Sequence, residues 1–121
     1  MNEERKNIIL EKSYYFAREI VLLYSQLKSE KEYDLSRQLL RSGTSVGANI
    51  EEAQGAQSKR DFIAKMQISL KEARETHYWL RLLRDTEIVE SSKANMLLSL
   101  CTEIITILTS ILKKAKNGAN N

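Results

Sequence analysis

The sequence predicts an all-α protein, an antiparallel up-down-up-down four-helix bundle formed by one domain over residues 1–121. Three observations predict it. The chain contains no proline, the residue that most strongly breaks helices. The run from Ala56 to Asn117 also lacks glycine, which favours long helices over strands and turns. Finally, four segments place apolar residues at intervals of three and four, separated by short polar connections. Connections that short leave no room for long crossovers.

The first helix is expected over residues 3–28. Ile9, Phe16, Ile20, Leu23 and Leu27 share one face, flanked by Ile8, Tyr15 and Leu22, with charges opposite. Ser29-Glu30-Lys31-Glu32 reads as a capping box that opens a second helix over 31–55, with Ser29 accepting from the Glu32 amide. Gly55 suits the residue just past its end. The core face of this helix would hold Leu35, Leu39, Ser42, Val46, Ile50 and Ala53. Gly43 and Gly47 lie at the opposite edge, near Ser36 and Leu40. Each costs about 1 kcal/mol relative to alanine in a helix interior. They are expected to admit a close neighbouring backbone, within the bundle or between subunits.

The third helix is expected over 59–85, with Ser58 as N-cap and Asp61 near the positive end of its dipole. Phe62, Ile63, Met66, Leu70, Ala73 and Leu80 form its core set, and His77 falls in the same arc as a hydrogen-bonded structural histidine. The fourth helix spans 92–116, capped by Ser91 or Ser92. Its core face is Ala94, Leu97, Leu98, Cys101, Ile105, Leu108 and Leu112. Lys113, Lys114 and Lys116 favour its negative end, and Gly118 begins a frayed tail.

One bundle does not consume all the apolar surface. Met96, Leu100, Ile104, Ile107 and Ile111 make a second set on helix four, and Ile68, Trp79, Leu82 and Leu83 lie off the core set of helix three. Contiguous apolar patches mark interfaces, so self-association is expected.

Composition narrows the class further. A chain of 121 residues buries about two-thirds of the surface it exposes when unfolded. The lone Cys101 excludes an intrachain disulfide and fits a reducing compartment. The start has no secretory pattern, and no unbroken apolar run approaches the ~20 residues that cross a bilayer. A cytoplasmic protein without membrane contact is expected.

Catalytic patterns are missing, and no cofactor or metal is implied. Di-iron bundles use Glu-x-x-His pairs, whereas the single histidine, His77, follows Glu75 by two residues. An Arg-x4–6-His ribonuclease pattern would need arginine where Leu70, Lys71 and Glu72 stand. There is no phosphate loop and no Ser-His-Asp set. The protein reads as a non-enzyme.

Two polar features remain. Arg41, Ser45, Asn49 and Glu52 form a row bordering the core arc of helix two, and Glu72 and Glu75 occupy the arc of Ile68 and Trp79 on helix three. Polar groups at a core edge need partners. An Arg41–glutamate bridge completed by Asn49 and Ser45 is the expected solution, a network that fixes helix register. The second feature is charge. The net +3 of the chain resides in residues 58–85, where seven Lys or Arg meet four Asp or Glu. Arg60, Gln67, Arg74 and Arg81 recur every seven residues, with Lys71 and Tyr78 between them. A basic stripe with one aromatic suits phosphate contacts and a stacked base, so RNA or DNA is the expected partner. A scaffold presenting helix faces to another protein is the alternative.

The residues Arg41-Ser42, Ser45 through Ala53, Phe62, Ile68 through Glu72 and Glu75-Thr76 resemble the bacterial four helix bundle protein family. This family is also called the 23S rRNA intervening-sequence protein family and was once labelled ribosomal protein S23. The resemblance covers nearly the whole chain and implies a four-helix bundle that assembles as a homopentameric barrel. The chain is also similar to the accessory variability protein of diversity-generating retroelements, a basic pentamer that binds nucleic acid and a reverse transcriptase. Many family members are encoded inside intervening sequences of 23S rRNA genes, which again implies a nucleic-acid setting.

Overall fold

Four helices carry nearly all of the chain: α1 (Glu3–Ser29), α2 (Asp34–Gln54), α3 (Lys59–Asp85) and α4 (Ser91–Ala119). This computed structural model describes residues 3–119, with side chains from Ile8 to Gly118. The expected Asn120–Asn121 tail lies outside the described residues. No strand occurs among the described residues.

The buried side chains explain the packing. They are Ile9, Ser13, Phe16, Ile20, Leu23 and Leu27 on α1, and Met66, Ser69, Ala73, Thr76, Leu80 and Leu83 on α3. On α4 the same pattern runs through Ala94, Leu97, Cys101, Ile104, Leu108 and Ile111. Steps of three and four alternate strictly, an average repeat of 3.5 residues. Each helix packs on its neighbours in chain order, and α1 closes onto α4. Gly43 and Gly47 of α2 face Ile20 and Ser13 of α1. Ser42 and Val46 face Thr76 and Ser69 of α3. Lys12 and Glu19 of α1 pair with Glu103 and Lys93 of α4 at 2.7 and 2.9 Å. Within each pair the residue number rises on one helix as it falls on the other.

The 3.5 repeat corrects the expected core. On α3 the seam passes through Ser69, Thr76 and Leu83, while Ile63, Leu70 and His77 are only partly buried. On α4, Ile104 and Ile111 are buried and Ile105 is partly covered. The small polar residues Ser69 and Thr76 occupy the seam, where their hydroxyls bond the Val46 carbonyl and the Ser42 hydroxyl of α2 at 2.8 and 2.9 Å. The apolar surplus therefore shrinks on α3 and α4, where Ile68 and Met96 stay exposed. It reappears on the outer face of α1, where Tyr14, Tyr15, Val21 and Leu22 are exposed.

The helix ends also differ from expectation. The Ser29 hydroxyl donates to the Gln26 carbonyl at 2.6 Å, so no capping box forms. Instead α1 closes with Glu32 N–H on the Leu27 carbonyl and Lys31 N–H on the Lys28 carbonyl, with Lys31 at φ 65°. That Schellman arrangement keeps residues 31–33 out of α2, which begins at Asp34 with no side-chain cap. The same pattern ends α3, with Glu87 at φ 61° and Ile88 N–H on the Leu83 carbonyl. α4 begins at Ser91 itself, so neither serine caps it; Ser92 Oγ donates to Glu90 Oε1 at 2.7 Å. Gly118 stays helical rather than fraying.

α4 also revises the reading of hydropathy. A stretch of its Ser91–Gly118 span reaches a mean hydropathy of 1.7, apolar and long enough to cross a membrane on composition alone. Within it, Leu97, Cys101, Ile104 and Leu108 are buried against the other helices.

A Cβ at Gly43 would lie 2.9 Å from both Cγ1 and Cγ2 of the buried Ile20. Alanine gains about 1 kcal/mol of helix propensity, but overpacking costs about 1–3 kcal/mol. Gly43→Ala should lower stability by about 1 kcal/mol in urea melts. Gly55→Ala, whose Cβ would meet only the Glu52 carbonyl at 3.8 Å, should not. Equal midpoints for the two variants would contradict a tight α1–α2 contact.

Candidate nucleic-acid interface

α3 is fixed at its start by its own sequence. Ser58 Oγ accepts the Asp61 amide at 3.0 Å, as expected of an N-cap. Asp61 in turn accepts Lys65 Nζ at 2.7 Å and the Gln57 amide at 3.3 Å. The Lys65 bond first, then the Gln57 bond, holds the Asp61 carboxyl below the usual carboxylate range.

From that first turn the outer face of α3 runs through Arg60, Lys71, Arg74, Tyr78 and Arg81, all exposed. At 1.5 Å per residue they span about 30 Å along one side of the helix. The Arg81 guanidinium stands 5.8 Å from the centroid of the Tyr78 ring, a cation–π contact. Tyr78 meets Trp79 edge-to-face at 5.1 Å and 71°. The stripe therefore has four cations and one stacking platform on a rigid element.

The register network lies behind this face. Arg41 Nη1 donates to Glu72 Oε2 at 3.1 Å, and Nη2 donates to Glu75 Oε2. Trp79 Nε1 donates to the same Glu75 oxygen at 3.0 Å. The expected Arg41–glutamate bridge thus forms. Ser45 and Asn49 do not complete it: Ser45 Oγ donates to the Arg41 carbonyl at 2.7 Å, and Asn49 Nδ2 to the Ser45 carbonyl at 2.8 Å. Their side chains are short enough to satisfy themselves on their own helix. Glu52 is exposed and stands apart. Reading the wheel of α2 alone missed the buried hydroxyl pair of Ser42 and Thr76, 2.9 Å apart. It also missed Ser69 Oγ donating to the Val46 carbonyl at 2.8 Å. A run of small hydroxyl residues along the α3 seam is the signal that could have found them.

Cys101 is core, as expected. Its thiol donates to the Ala73 carbonyl at 3.1 Å, and burial pushes its pKa up to about 12. His77 is not the hydrogen-bonded core histidine expected. It is partly exposed beside a cleft toward α4 and makes no hydrogen bond among the described residues.

A family model for the 23S rRNA-intervening sequence protein matches residues 5–110. The chain belongs to that family. A crystal structure from Bacteroides thetaiotaomicron at 1.70 Å resolution is similar to this intervening-sequence family member. That protein is described as one of unknown function from the S23 ribosomal protein family. The two share 49% identity and a TM-score of 0.87, over 90% of this chain and 98% of the other. A comparison with curated proteins gives no match.

The Arg41 side chain is half exposed, whereas Glu72 is 14% exposed. Removing the cation strands two partly buried carboxylates, at a cost discounted for solvent to about 1 kcal/mol. Arg41→Ala should therefore lower the melting temperature by roughly 4 °C. It should also shift the emission of Trp79, the single tryptophan. An unchanged melt together with unchanged emission would remove the structural role.

Proposed function

We propose that this family member is a non-enzymatic, self-associating helical bundle that binds RNA or DNA through the outer face of α3. The observation that carries the reading is the stripe of Arg60, Lys71, Arg74 and Arg81 around the half-exposed Tyr78, with Arg81 stacked on the ring. Phosphates pair with the cations, and an unpaired base stacks at Tyr78. The alternating direction of the helix pairs supports an up-down-up-down bundle. Tyr14, Val21 and Leu22, exposed on α1, support self-association, for which the homopentameric barrel is the assembly we favour. Copies of the stripe on one assembly would add phosphate contacts and raise avidity. The same α1 face supports the second reading, a scaffold for a protein partner. We place the protein in the cytoplasm, without membrane contact.

Filter binding of labelled single-stranded RNA and DNA tests the stripe. Retention should fall steeply with salt, with a log–log slope of about −2 to −3 for three to four neutralised phosphates. Arg74→Glu with Arg81→Glu should abolish it while leaving the melt within about 0.5 kcal/mol. Retention no better than that of a neutral control protein would sink the reading. Light scattering tests assembly: the mass should be several times 13.9 kDa, and a clean monomer would refute self-association.

A further inference from the structure

Between α3 and α4 lies an open cleft of about 440 Å³. His77, Arg81 and Arg84 enter it from α3, and Asn95, Ser99 and Thr102 from α4, around an apolar floor at Leu98. Spacings of four, three and seven residues place each trio on one helix face.

The electrostatics of this cleft are one-sided. No carboxylate lines it. Arg84 is held across the cleft by Nη1 donating to Asn95 Oδ1 at 3.0 Å, and from behind by Nε donating to Asp85 Oδ1 at 2.9 Å. Arg81 has no carboxylate partner among the described residues, and its contact is the face of Tyr78. Arg41, in contrast, meets two carboxylates on the same helix. His77 has no hydrogen-bond partner among the described residues, and burial, followed by the charges of Arg81 and Arg84, holds its pKa below the ordinary value. Only neutral groups face it from α4. Two guanidiniums, two hydroxyls, a carboxamide and an imidazole line the cleft with no carboxylate among them, so no negative charge competes for their donors.

We infer that the α3–α4 cleft binds the phosphomonoester of a nucleotide, with Arg81 and Arg84 on the phosphate and the sugar or base against Leu98. The volume suits a small ligand and far exceeds a bare phosphate. A dianion also matches two arginines better than a diester does. The bound charge favours protonated His77, which then becomes a third cationic donor. The inference shares Arg81 with the proposed stripe but does not require strand binding.

The single histidine is the reporter. His77 is titrated by NMR in adenosine 5′-monophosphate, adenosine, inorganic phosphate and sulfate. The expected result is a midpoint raised by about 1 pH unit with the monophosphate and unmoved by adenosine. Phosphate should act only at much higher concentration. Arg84→Gln should weaken the response about tenfold. Ser99→Asp, at an exposed position, should abolish it with the fold intact, so a misfolded arginine variant leaves the test decisive. A 5′-phosphorylated oligonucleotide that acts below the monophosphate concentration identifies a strand end as the source, and the reverse order a free nucleotide. The response should survive Arg60→Glu with Arg74→Glu, which disables the stripe alone. Equal effects of sulfate and monophosphate, an adventitious ion only, would overturn the inference, as would an unmoved midpoint.

Discussion

The fold depends on how closely α2 can lie between α1 and α3. On one side Gly47 would bring a Cβ to 3.3 Å from the Ser13 carbonyl, and Gly43 would press on Ile20. On the other side Ser42, Ser69 and Thr76 form a seam thin enough for hydroxyl-to-hydroxyl and hydroxyl-to-carbonyl bonds between helices. Small residues cost helix propensity, but they bring backbones together and let buried polar groups find partners across the gap. The heptad seams of α1 and α4 are then filled mainly by large apolar residues such as leucine and isoleucine.

That close pairing aligns the Arg41 fork with Glu72 and Glu75 one turn apart. Because Glu75 also accepts from Trp79, and Trp79 packs on Tyr78, a continuous set of contacts links the register of α2 and α3 to the stripe on the surface. Of the four carboxylates on α3, Glu72 and Glu75 are taken up by this network, Asp61 pairs with Lys65 and Asp85 with Arg84. Arg60, Lys71, Arg74 and Arg81 therefore face outward with no acidic partner among the described residues, which explains why a protein of only +3 net charge presents a basic helix face.

Charge on α3 thus divides by direction. Toward α2 it is paired with Arg41, outward it lacks carboxylate partners among the described residues, and toward α4 Arg84 is held by Asp85 and Asn95. Arg81 sits at the junction, one side on the Tyr78 ring and the other in the cleft with Arg84 and His77. Arg84 links α3 to α4 through Asn95 and is held by Asp85, whereas Arg81 has no carboxylate partner among the described residues.

Composition and periodicity by themselves determined the four helices, their order, the Ser58 cap and the Arg41 bridge. Each depends on residues near in sequence or on the one long cation able to reach a carboxylate. The buried faces of α1 and α2 were also legible, but tertiary structure decided the exact seam of α3 and part of α4. A wheel drawn at 3.6 residues per turn and weighted by apolar size favoured Ile63, Leu70 and His77, but supercoiling shifts the seam to 3.5 and close packing selects Ser69 and Thr76. The shift moved His77 out of the core and into the cleft, and moved the surplus apolar surface to α1. The termini of α1 and α3 followed the same logic, because Lys31 and Glu87 take left-handed backbone that no local residue preference announces. Local pattern sets what a helix is, and the distance to its neighbour sets what it buries.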